Sequence, residues 1–106
     1  MPKFLVKASY TGDGAKGLLK EGGTSRRTTV EQMAQRAGGR VEAFYYAYGD
    51  TDAYIITDLP DAAAALALSL AVNSSGAVRL STTPLITPEE VDAAAKTSLS
   101  YRAPGA

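Results

Sequence analysis

The sequence predicts an α+β domain, an antiparallel four-stranded sheet with helical crossovers, and three observations carry that expectation. Residues 40–59 read as a β-hairpin, in which two runs rich in aromatic and β-branched residues, 41–48 and 53–57, flank Gly49, Asp50, Thr51 and Asp52. In that turn the glycine is expected to take a positive φ and the aspartates to bond the turn backbone. A strand-helix-strand pattern stands on both sides of the hairpin turn. Aromatic mass is also partitioned: five of the six tyrosines, Tyr10, Tyr45, Tyr46, Tyr48 and Tyr54, lie in or beside expected strands, whereas the helical segments are built from alanine and leucine.

From the N-terminus, residues 3–10 alternate, with Phe4, Val6, Ala8 and Tyr10 on one face and Lys3, Leu5, Lys7 and Ser9 on the other. This is the period of a first strand. Thr11, Gly12, Asp13 and Gly14 are expected to close it as a turn, before a short helical piece over 15–21 that uses Leu18 and Leu19. Gly22 and Gly23 interrupt that piece. Thr24 and Ser25 then offer N-caps to a second helical stretch, in which Val30, Met33, Ala34 and Ala37 recur at intervals of three and four before Gly38 and Gly39 stop it. Past the hairpin, Asp61 caps the alanine- and leucine-rich segment 62–72, a strong helix former. Residues 77–83 alternate as a fourth strand, which Pro84 is expected to end. Thr87, Pro88, Glu89 and Glu90 form a capping box with proline at the first helical position, predicting a last helix to about residue 99 along Val91, Ala94, Ala95 and Leu99.

The order β-α-β-β-α-β plus a terminal helix is the split βαβ, ferredoxin-like arrangement. Right-handed crossovers give a sheet of order 4-1-3-2 with helices on one face. The opposite face is then too apolar to stand in water, and a second copy is the simplest cover, in a dimeric α+β barrel enclosing space for a ligand. At 106 residues the whole chain, 1–106, is expected to be one domain.

Composition removes whole classes of chemistry. Lysine plus arginine and aspartate plus glutamate number 11 each, so formal charge is zero, which argues against nucleic acid or an anionic membrane surface as partner and leaves self-association open. Histidine and cysteine are absent, which excludes disulfides, thiol and His-based catalysis and the usual zinc or haem ligation, so no cofactor is expected. The N-terminus lacks the apolar core of a signal peptide, and no run is long enough to span a bilayer, so a soluble cytoplasmic protein is expected.

Several stretches resemble the GYD-domain family of small bacterial proteins: Pro2-Lys3-Phe4-Leu5-Val6, Ala8-Ser9-Tyr10-Thr11, Lys16-Gly17-Leu18-Leu19-Lys20-Glu21-Gly22-Gly23 and Glu42-Ala43-Phe44-Tyr45. The likeness continues through Asp58-Leu59-Pro60-Asp61, Asn73-Ser74-Ser75-Gly76-Ala77-Val78-Arg79 and Thr83-Pro84-Leu85-Ile86-Thr87-Pro88-Glu89-Glu90-Val91. It departs where the family takes its name, since glycine, tyrosine and aspartate meet Gly49, Thr51 and Asp52. The resemblance implies a ferredoxin-like, oligomeric architecture and no particular reaction.

Candidate ligand-binding residues follow from the faces. Lys7 and Arg79, on neighbouring strands and outside the apolar alternation, are expected opposite the helices, where a covering sheet would make them cations for a carboxylate, enolate or phenolate. The plain alternative is that they are solvated or paired with an acid such as Glu42. On strand 2, Glu42, Phe44, Tyr46 and Tyr48 alternate with Val41, Ala43, Tyr45 and Ala47. The larger set is expected to face the inter-subunit space, where Tyr46 and Tyr48 would bind a planar ligand or simply pack. Asp50 and Asp52 lack the further oxygen ligands of a calcium loop, so turn and strand-capping roles are expected and no metal. Gly12, Asp13 and Gly14 lack the rest of a phosphate loop. Arg26 and Arg27 form the one tight basic pair, solvated or meeting an acid from elsewhere.

Three functions remain open. One is a non-enzymatic, homo-oligomeric binding or structural module with a small anionic or aromatic ligand between subunits. Another is a cofactor-independent oxygenase or isomerase, in which Lys7, Arg79 and Tyr46 hold an enolisable substrate and Glu42 takes a proton. The last is a regulator assembling into rings or filaments through strand edges.

Overall fold

In a computed structural model covering residues 1–106, β1 (Lys3–Tyr10) is a central strand, hydrogen-bonded antiparallel to β3 (Ala53–Asp58) and to β4 (Val78–Leu85). The hairpin partner β2 (Arg40–Tyr46) pairs with β3, completing the antiparallel order β2-β3-β1-β4, which read from the other edge is 4-1-3-2. Helices α1 (Gly12–Glu21), α2 (Gly23–Arg36) and α3 (Ala62–Asn73) belong to the crossovers, and α4 (Pro88–Ala95) follows the sheet.

Strand alternation sets the two faces. Phe4, Ala8, Ala53, Ile55, Thr57 and Val78 are buried under the helices, while Lys7, Tyr54, Arg79 and Ser81 are exposed on the other side. The core is small. Only 11 of 106 residues are buried, and Leu59 is the one large side chain wholly enclosed, packed with Phe4, Ala34 and Ala65. A core so rich in alanine contributes little per residue, since stabilisation follows the apolar area removed from water.

The glycines at 22 and 23 separate two helices, as the interruption there is expected to do. Gly22 at φ 87° ends α1, its N–H bonded to the Leu18 carbonyl, and is also the N-cap of α2, so the expected Thr24 or Ser25 caps are not used. Gly23 leaves room for the Tyr46 ring, which a Cβ there would meet at 3.0 Å. The expected turn at Gly12, Asp13 and Gly14 is instead the first turn of α1: the Thr11 hydroxyl accepts from the Gly14 N–H at 3.3 Å and starts the helix three residues early.

Three other boundaries differ. Strand β2 stops at Tyr46, because Asp52 draws the loop across the end of β1: its N–H bonds the Ala8 carbonyl at 2.8 Å and its carboxylate accepts the Tyr10 N–H at 2.7 Å. Gly49 needs no positive φ in this loop. Strand β4 continues through Pro84 to Leu85, which an edge strand tolerates because alternate N–H groups there have no partner. Helix α4 keeps its capping box, with the Glu90 N–H donating to Thr87 Oγ1 at 3.1 Å, but ends at Ala95 with no residue buried. No other element supports a further turn, and so short a helix gains little on its own.

Candidate functional site

The face without helices is built of cross-strand rows. Tyr45, Tyr54, Lys7 and Ser81 lie side by side, and Ala43, Ile56, Leu5 and Thr83 form the next row. At one end Asp58 lies between Arg40 and Lys3, with its side chain 9% exposed. At the other end Ser9 lies beside Arg79. Tyr54 and Tyr45 are 42% and 72% exposed, so this sheet presents a rank of aromatic and aliphatic side chains to solvent.

Charge is distributed unevenly over it. The three ion pairs of the chain crowd at the Asp58 end: Lys3 Nζ reaches Glu42 at 2.9 Å and Asp58 at 3.0 Å, and Arg40 reaches Asp58 at 2.8 Å. The Lys3 ammonium holds the Asp58 carboxyl below its ordinary range, and hydrogen bonds to Glu42 and then Asp58 raise Lys3. Lys7 and Arg79 have no acidic partner. Lys7 is opposite Ser81 and Arg79 opposite Ser9, so the two cations are diagonal neighbours, about 7–8 Å apart at the backbone.

Strand 2 departs from the expected alternation. A bulge between Val41 and Ala43 adds a residue, putting Glu42 beside Lys3 on the open face and leaving Phe44 and Tyr46 beneath the helices. The Tyr46 hydroxyl donates to the Gly23 carbonyl of α2 at 3.0 Å, and its ring meets Phe44 edge-on at 5.0 Å. Partial burial, reinforced by the Tyr10 phenol, pushes the Tyr46 hydroxyl up to about 12 despite the opposing pull of Arg26 and Arg27. Tyr48 stands in the loop, fully exposed. The expectation that Tyr46 and Tyr48 face the inter-subunit space is therefore corrected; the open-face aromatics are Tyr45 and Tyr54. Their signal was the half of the alternation that holds Ala43 and Tyr45, passed over because the set with more aromatic mass was assigned to the open face; the bulge moves only Glu42 away from that set.

Lys7, Arg79, Tyr46 and Glu42 consequently do not converge. Tyr46 is across the sheet from both cations, and Glu42 is engaged by Lys3, so the arrangement expected of an oxygenase or isomerase is not formed within the chain. Asp50 and Asp52 serve the hairpin: the Asp50 carbonyl accepts from Ser9 Oγ at 3.3 Å, and Asp52 caps β1. No group of three acidic side chains is placed to hold a metal ion.

Residues 4–95 match the GYD domain. The chain belongs to the GYD domain family. The match runs from the second residue of β1 to the end of α4, so the open face of this GYD domain, apart from Lys3, and its hairpin fall inside it. No curated protein and no solved structure matches the chain. No helix of this GYD domain is long and apolar enough to cross a membrane.

Proposed function

We propose that this GYD domain is a homo-oligomeric binding module in which the open sheet face meets a second copy and holds a small anionic or aromatic ligand against Lys7 and Arg79. The observation that carries this reading is the exposed pair Tyr45 and Tyr54 in one row with Lys7, with Arg79 diagonal to Lys7 and neither cation having an acidic partner. Exposed aromatic surface of this kind is costly in water and is ordinarily covered. A guanidinium and an ammonium group brought into such an interface need an anion, because a desolvated cation without a counter-charge is unfavourable.

Native mass spectrometry of protein purified from its own host tests both parts together. The expected result is a dimer or higher oligomer carrying a small acidic molecule, lost in Lys7→Met/Arg79→Met while the oligomer persists. Monomer alone at micromolar concentration removes the proposal, and an oligomer with nothing bound reduces it to assembly.

A further inference from the structure

We infer that each protomer carries a second, self-contained ligand site on the opposite side of the sheet, a crevice for the apolar end of a small monocarboxylate with its charged end on Arg26. Helix α2 packs mainly on β2 and α3 on β4, and between them, over the buried middle of the sheet, the packing leaves a gap. The gap is a cavity of about 60 Å³, floored by Val6, Ala8 and Ile55, with Met33 of α2 and Leu68 and Val72 of α3 as walls. Twelve of its 14 lining residues are hydrophobic. Thr57 on its floor donates its hydroxyl to the Phe4 carbonyl at 3.5 Å, which leaves few polar groups there to hold water. Water in such a space lacks the two to four polar partners it needs, so an apolar group is the better occupant.

The exception to this lining lies at the edge. Arg26 borders the cavity beside Tyr10, and its side chain makes no ion pair. Asp13 and Glu21 border a shallow hollow shared with Arg26 and Tyr10 without coming within ion-pair distance. Their presence limits the charge the edge accepts, favouring one carboxylate over a phosphate. So small an enclosed space takes a short alkyl branch or the edge of one ring, with the rest of the ligand reaching outward. The apolar wall and single cation together recognise an aryl or short alkyl monocarboxylate. This site is independent of the sheet-face reading, because no residue of the open face lines it.

Two methionines make the test direct, since Met33 lines the cavity and Met1 is 65% exposed. In full-length protein labelled at the methionine methyl carbons, phenylacetate is expected to shift the Met33 resonance saturably and leave Met1 in place. Phenylacetamide, the neutral isostere, is expected to bind about tenfold more weakly, as is phenylacetate to Arg26→Gln, because each removes one charge-assisted contact. Lys7→Met/Arg79→Met is expected to leave this affinity unchanged. The inference is overturned by an unmoved Met33, by equal affinity for acid and amide with no effect of Arg26→Gln, or by loss of binding in the sheet-face variant. Arg26 is half-exposed and packs no core, so a folded variant is expected, and Arg26→Lys should recover part of the affinity.

Discussion

Asp58 is the most constrained acid of the chain, since the strands on either side supply Lys3 and Arg40 to the same carboxylate. Its folded pKa lies below 3.8, so the stabilisation it contributes is present above that value and is lost as pH falls through the folded one. Lys3 lies on the other side of the balance. Its folded pKa is above 10.5, so its contribution is present below that value and is lost as pH rises through the folded one. Asp58→Asn should therefore melt lower than the parent by a constant gap across the neutral range, and the gap should close in acid below 3.8. Thermal unfolding followed by circular dichroism across pH reads this directly, and a gap that persists unchanged into strong acid shows that the carboxylate's charge is not what matters.

At the scale of elements, α1 carries three glycines, and its surroundings separate their roles. A Cβ at Gly14 would lie 1.9 Å from the Ala77 carbonyl oxygen, whereas one at Gly17 would meet nothing within 4 Å. Gly17→Ala is expected to stabilise by about 0.5–1 kcal/mol through lost unfolded-state freedom. Gly14→Ala is expected to destabilise by about 1–3 kcal/mol, because α1 must retreat from the start of β4. Urea unfolding of both variants checks the pair, and effects of the same sign would mean that α1 does not sit against Ala77. Such close approaches are not written in the sequence, which is why Gly12, Asp13 and Gly14 read as a turn when they form helix. Features decided by neighbours in the chain were legible: the Asp61 side chain accepts the Ala64 N–H at 2.9 Å, and the capping box of α4 forms as its residues require. The alternation of β1 and β4 placed Lys7 and Arg79 on the open face correctly. Strand β2 was not legible in the same way, because its bulge depends on pairing with β3, and one inserted residue exchanged the faces of Glu42 and Tyr46 relative to each other.

For the whole molecule, size and shape are those of a small domain with an extended arm. The radius of gyration is 17.1 Å and the longest extent 57 Å, against about 13 Å expected for a compact chain of 100 residues. The excess lies in the C-terminal arm, where every residue from Ile86 onward is exposed, including Val91, Leu99 and Tyr101. On α3, Leu66 and Leu70 are 58% and 61% exposed as well, so apolar surface remains on both layers. An eight-residue helix with a complete capping box and no core contact gains stability only when something packs on its apolar side. Deleting residues 88–106 should therefore leave the domain folded, with the far-ultraviolet spectrum changed only by the lost turns, while weakening self-association by at least about tenfold, on the order of 1.4 kcal/mol. Sedimentation equilibrium of the full and shortened chains measures that difference. Equal association constants would assign cohesion to the sheet face alone, whereas a shortened chain that also unfolds would mean that the arm supports its own domain.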